Sequence, residues 1–195
     1  MRPAADHGHA RLVKFFITLT TYSGLHRIIV MRYLSHQITF QEIPDEISLS
    51  FLITGCPLKC KGCHSADSWN PATGHLLTVE ILAGFILKYH SAITCVLFLG
   101  GEWESENLIK LLKLCKEQNL KTALYTGLQS VDSVIADELT FLKTGPWIKK
   151  LGGLASPHTN QKLVNLKTGK IMNSYFTAQG GQHGEINGRS GQQET

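Results

Sequence analysis

Apolar and polar positions change period several times along this chain. From Tyr33 to Phe40 they alternate as in a half-exposed strand, and Ile43-Pro44-Asp45-Glu46 reads as a turn. Ile47 to Ile53 alternates at first and is fully apolar at its end, the pattern of a strand buried on both faces. Asn70-Pro71-Ala72-Thr73-Gly74 then breaks the chain. Thr78 stands where it can cap a helix through about His90, with Ile81, Leu82, Phe85, Ile86 and Tyr89 on one stripe. Ile93 to Leu99 predicts a second buried strand, ending in Gly100-Gly101-Glu102. A helix follows from about Ser105 to Gln118, with Leu108, Ile109, Leu111, Leu112 and Cys115 inward and Lys110, Lys113 and Lys116 toward water. Lys121 to Thr126 predicts a third strand closed by Gly127, and Ser130 or Asp132 a cap for a short helix toward Leu139. Phe141 to Lys143 is a short strand before Thr144-Gly145-Pro146, and Lys162–Leu166 with Lys170–Met172 form a hairpin about Thr168-Gly169.

Strands that alternate with helices argue for an α/β fold with right-handed crossovers between parallel strands. Only about four such strands are visible, so the expectation is an incomplete, open (β/α) barrel with a mostly parallel sheet. Ligands of such sheets gather at the carboxyl ends of the strands. Gly55-Cys56, Gly100-Gly101-Glu102 and Thr126-Gly127 each fall at such an end, so three separate signals converge on one edge.

Composition divides the chain without changing its class. Apolar residues make up 43% of the 195, and charged ones 17%, ordinary values for one globular domain with a real core. The net charge of +4 is concentrated early: residues 1–30 carry Arg2, Arg11, Lys14 and Arg27 against Asp6. The rest offers no cationic face for nucleic acid. No apolar run is long enough to span a bilayer, and residues 11–30 lack the clean apolar block of a signal peptide. Residues 1–30 are read as an N-terminal extension outside the working protein, with a helix packed on the domain as the alternative, residues 31–177 as the domain, and residues 178–195, rich in Gly and Gln, as a disordered tail. Five cysteines without regular pairing fit a reducing, cytoplasmic setting.

The chemistry concentrates in Cys56, Cys60 and Cys63, spaced C-x3-C-x2-C directly after a strand. Three thiolates this close suit a metal or a cluster, which offsets their mutual repulsion. A disulfide is the poorest reading, because three is odd and such short loops close with strain. Structural zinc takes four protein ligands almost always. His64 adjoins Cys63 too directly to converge with it on one ion, and Cys95 and Cys115 lie in apolar segments. An iron–sulfur cube held by three cysteines leaves one iron open to a small molecule. The spacing and its strand favour the cluster, with a zinc-binding interaction module as the alternative.

The spacing resembles the cluster loop of the radical S-adenosylmethionine (SAM) superfamily. Gly55-Cys56, Cys60-x-Gly62-Cys63-His64 and Trp69 resemble, more narrowly, the small activating enzymes of anaerobic ribonucleoside-triphosphate reductase. So do Cys95 through Glu102, Leu124-Tyr125-Thr126-Gly127, Lys143-Thr144-Gly145-Pro146, Leu151-Gly152-Gly153-Leu154 and Thr159-Asn160-Gln161. These stand in matching order from about Met31 to Met172. Many superfamily members carry an aromatic residue where Gly62 stands; the small activators tolerate glycine.

The resemblance implies a [4Fe-4S] cluster on Cys56, Cys60 and Cys63, with SAM chelating the open iron. It implies SAM contacts from Gly62, Cys63, His64, Gly100, Gly101 and Glu102. Reductive cleavage of SAM would form a 5′-deoxyadenosyl radical, which takes hydrogen from a glycine Cα of the reductase. No general base is required, so no catalytic side chain is assigned. Lys59 and Lys61 are placed to attract an acidic electron donor such as flavodoxin. No membrane or nucleic-acid partner is implied. Activation of another glycyl-radical enzyme, such as a formate lyase, is the alternative target.

Overall fold

The computed structural model describes residues 31–180, with side chains through residue 177. Eight strands form one sheet: β1 (Arg32–Thr39), β2 (Ser48–Ile53), β3 (His75–Leu76), β4 (Cys95–Leu99), β5 (Lys121–Tyr125), β6 (Phe141–Thr144), β7 (Lys162–Asn165) and β8 (Lys170–Ile171). Their spatial order is β3-β1-β2-β4-β5-β6-β7-β8. Four helices accompany them: α1 (Val79–Tyr89), α2 (Ser105–Glu117), α3 (Ser133–Ala136) and α4 (Ser174–Gly180). Residues 1–30 lie outside the described residues, as does most of the expected tail; its first three residues continue α4.

The four strands β2, β4, β5 and β6 run parallel, but both flanks are antiparallel. The sheet is therefore mixed, where a mostly parallel one was expected. The short connections β1–β2 and β7–β8 leave no room for a crossover, and a tight turn joins only antiparallel neighbours. The strand β3 sits within the break after Trp69, where its two residues carry no periodic signal.

The two faces of the sheet have different cover. Val96, Phe98, Leu124 and Leu142 face one cluster, which also holds Leu82 and Ile86 of α1, Leu108, Leu111 and Leu112 of α2 and Ile135 of α3. Thr78 accepts a hydrogen bond from the Ile81 backbone N–H and starts α1 as its sequence predicts. Ile81 itself is exposed, so the buried stripe is narrower than the periodicity suggests. The alternate residues Cys95, Leu97, Ala123 and Phe141 face the other way, against Ile43, Leu163 and Met172. Among the described residues the only helix that packs on that second face is the short α4, through Tyr175 and Phe176, and a cavity lies at its carboxyl end.

Candidate metal centre

Strand register builds the floor of the site. Leu52 pairs with Leu99, Leu99 with Tyr125 and Tyr125 with Lys143, so one row of residues crosses the four parallel strands on that second face. All four line a cavity of about 190 Å³ at the carboxyl edge. Cys56, Cys60 and Cys63 line the same cavity from the loop after β2. That loop is held by Gly55 N–H on Ser68 O at 2.7 Å and Cys63 N–H on Cys60 O at 3.0 Å. Its tip closes on the end of β5, where a Cβ on Gly127 would stand 2.6 Å from Leu58 Cδ1. The three thiols are half-buried and free. Burial pushes the Cys56 thiol up, against backbone hydrogen bonds at Leu58 and Lys59 that favour its thiolate.

Residues 47–145 match the family described as 4Fe-4S single cluster domain. This chain belongs to that family. It is also 44% identical over 79 residues to the pyruvate formate-lyase-activating enzyme of Clostridium pasteurianum, a match covering 37% of this chain and 33% of that enzyme. The chain thus spans about a third of the length of the curated relative it matches.

As a member of the iron–sulfur family the chain has a fitting donor set. Three soft thiols face one cavity, and among the described residues no fourth cysteine or histidine lines it. His64 lies outside that cavity, with its ring 4.7 Å from that of Trp147. Among the described residues, no group of three or more His, Cys, Asp or Glu closes to the spacing of a single-ion site. A structural zinc site would need a fourth protein ligand beside the three thiols. A cube of iron and sulfide is wider than one ion and needs fewer protein donors.

Glu102 supplies the cavity's acidic group. Thr126 donates its hydroxyl to Glu102 Oε1, while Oε2 is buried without a partner. Burial pushes the Glu102 carboxyl up from its ordinary range, against the Thr126 hydrogen bond. The two preceding glycines do different work. Gly100 lines the cavity with φ +88°, and a Cβ there would meet Trp103 Cη2 at 2.6 Å. Gly101, at φ +111°, faces the core, where a Cβ would approach Met31 and Ile53; it lines neither cavity described here. Gly62 is exposed and also lines neither. His64 instead lines a second, larger cavity of about 680 Å³, which shares Cys63, Tyr125, Lys143, Trp147 and Gln161 with the first.

Sequence reasoning passed over Lys143 and Tyr125 as members of the site. Tyr125 donates its hydroxyl to the Glu42 carbonyl, and burial pushes its phenol far up. Burial pulls Lys143 down to about 8, against the opposing pull of Cys60, Cys63, Glu42 and Glu102. The signal was available: β6 points Phe141 into the core, so Lys143, two residues on, faces the same way. The segment Thr159-Asn160-Gln161 also gains a role. Asn160 donates to Pro146 O at 2.9 Å and Gln161 to Gly145 O at 3.3 Å, which clamps the loop carrying Trp147. All three tryptophans, Trp69, Trp103 and Trp147, line the cysteine cavity.

Proposed function

We propose that this chain is a radical SAM activating enzyme that places a glycyl radical on a partner protein, and that the partner is anaerobic ribonucleoside-triphosphate reductase. The observation that carries the reading is the shared cavity of Cys56, Cys60, Cys63 and the unpartnered Oε2 of Glu102. Membership in an iron–sulfur family supports it, as does the similarity to a formate-lyase activator. Three thiolates would hold a [4Fe-4S] cluster, and Glu102 Oε2 would accept the ammonium of SAM. Once held there and reduced by an external one-electron donor, the cluster would supply reductive cleavage of SAM, the chemistry by which hydrogen would be taken from a glycine Cα of the partner.

The protein's own residues bind, orient and exclude water. The tryptophans and Leu52, Leu58 and Leu99 give the cavity dry walls, and a dry wall strengthens each polar contact inside it. Gly100 lets Trp103 pack against the strand end. His64 and Trp147 offer ring surfaces beside Cys63 for an adenine. Helices α1, α2 and α3 on one face of four parallel strands support an incomplete, open (β/α) barrel. In this reading residues 31–177 would be the working domain, acting in the cytoplasm. Exposed Lys59 and Lys61 would meet an acidic donor such as flavodoxin.

A second target has its own support: the matched relative is named for pyruvate formate-lyase. One experiment separates the readings. The chain is reconstituted with iron and sulfide without oxygen, given dithionite and SAM, and assayed for 5′-deoxyadenosine. It is then mixed with the reductase or with a formate lyase, and the glycyl radical is read by electron paramagnetic resonance. A radical on the reductase supports the proposal, and a radical on the lyase alone replaces the target. Stoichiometric zinc with no sulfide and no product would sink the enzymatic reading.

A further inference from the structure

We propose that Lys143 sets the reduction potential of the cluster through its charge, holding it higher than the three thiolates alone would. This rests on the reading of Cys56, Cys60 and Cys63 as cluster ligands. Leu52, Leu99, Tyr125 and Lys143 form one row across the parallel strands. Three members are apolar or aromatic; the fourth is a lysine on the core side of a strand. Lysine is almost never found in such a place without a partner. Yet among the described residues Lys143 joins neither ion pair. Its Nζ has only a long contact, 3.4 Å, to Gly145 O and stands 5.8 Å from the centre of the Tyr125 ring.

The groups that face this ammonium are Cys60, Cys63, Glu42 and Glu102. Lys143 lines the cavity that Cys56, Cys60 and Cys63 share, and also lines the larger cavity beside Cys63. A cube in its oxidised state with three thiolates carries one net negative charge, and one-electron reduction makes that two. A fixed cation beside it favours the reduced state more than the oxidised one, and so raises the potential. Lys59 and Lys61, though nearer in sequence to the ligands, are exposed, and water and salt screen them. A lysine that served only to hold the carboxylate of SAM would leave the SAM-free potential unmoved.

The test is a redox titration of the reconstituted full-length chain without SAM, followed by electron paramagnetic resonance, with iron and sulfide counted in every sample. Lys143→Met and Lys143→Gln should each shift the midpoint to more negative potential. Lys143→Arg should stay close to the parent, and Lys61→Gln should shift it less than either neutral variant. Neutral variants with full iron and sulfide that titrate at the parent potential would overturn the proposal. Loss of the cluster from both neutral variants, with Lys143→Arg intact, would make Lys143 an assembly residue and overturn it equally. A parent protein that takes up no cluster would instead overturn the reading beneath it.

Discussion

Thr126 donates to one oxygen of Glu102 and leaves the other buried with no hydrogen-bond partner. A threonine at the end of β5 thus aims a carboxylate that belongs to the turn after β4. The arrangement costs the fold something, because a buried acceptor without a partner forfeits about 1–3 kcal/mol. Such a cost makes sense where a cationic ligand later completes the set.

Glu102→Gln should therefore make the ligand-free protein more stable at neutral pH and a poorer binder of SAM. The sign follows from the raised carboxyl: its contribution is full below the unfolded carboxyl pKa and is lost as pH rises through the folded one. The melting advantage of the variant should shrink as pH falls toward 4, on the order of the unperturbed carboxyl value. Calorimetry across pH, beside equilibrium dialysis with SAM, reads both effects. Binding should weaken roughly tenfold or more for a charge-assisted bond lost; unchanged affinity would remove Glu102 from the site.

Replacement of Cys56, Cys60 or Cys63 by Ala should abolish cluster uptake, whereas Cys95→Ala should keep it. Cys95 is fully buried in the sheet, and burial pushes its thiol up to about 12. Iron and sulfide analysis after anaerobic reconstitution checks this. Equal loss from all four variants would show that the ligand set is drawn wrongly.

Gly100→Ala and Gly101→Ala should both destabilise, by roughly 1–3 kcal/mol for a strained left-handed residue, but with different local effects. At Gly100 the new methyl strikes the Trp103 ring and disturbs a wall of the cavity. At Gly101 it presses on Met31 and Ile53, inside the core. Tryptophan fluorescence should change more for the first, and urea denaturation reads the cost of both.

Gln161→Ala should free the loop that carries Trp147. The side chain is buried and its amide serves the Gly145 carbonyl. Loss of that bond should cost about 1–3 kcal/mol, with greater access of acrylamide to Trp147 in a variant lacking Trp69 and Trp103. An unchanged quenching profile would show that the loop stands without its clasp.

Most of the central sheet was legible in the sequence because buried parallel strands write themselves as apolar runs. Ile93 to Leu99 and Ile47 to Ile53 are such runs, and their ends line the cavity of the three cysteines. The flanks were not legible in the same way. His75 and Leu76 form a strand only because Tyr33 and Arg32 are there to pair with them, a tertiary fact. The site was legible where chemistry is concentrated, as in the three cysteines, and obscure where geometry decides. Gly100 and Gly101 are chemically alike, yet one lines the cavity and the other the core. By its sequence Lys143 reads as the end of a short strand, and it is register that places it beside Tyr125.

The clasp from Asn160 and Gln161 reaches back 14 and 16 residues to the carbonyls it holds. During synthesis the cysteine loop, Glu102 and Lys143 leave the ribosome well before that clasp exists. Until it arrives, the carbonyls of Gly145 and Pro146 lack these side-chain donors, although the Gly145 N–H already has the Leu128 carbonyl. The cysteine cavity is thus finished by a segment that follows every one of its thiols in the chain, so its last wall depends on the last of its lining residues to be made.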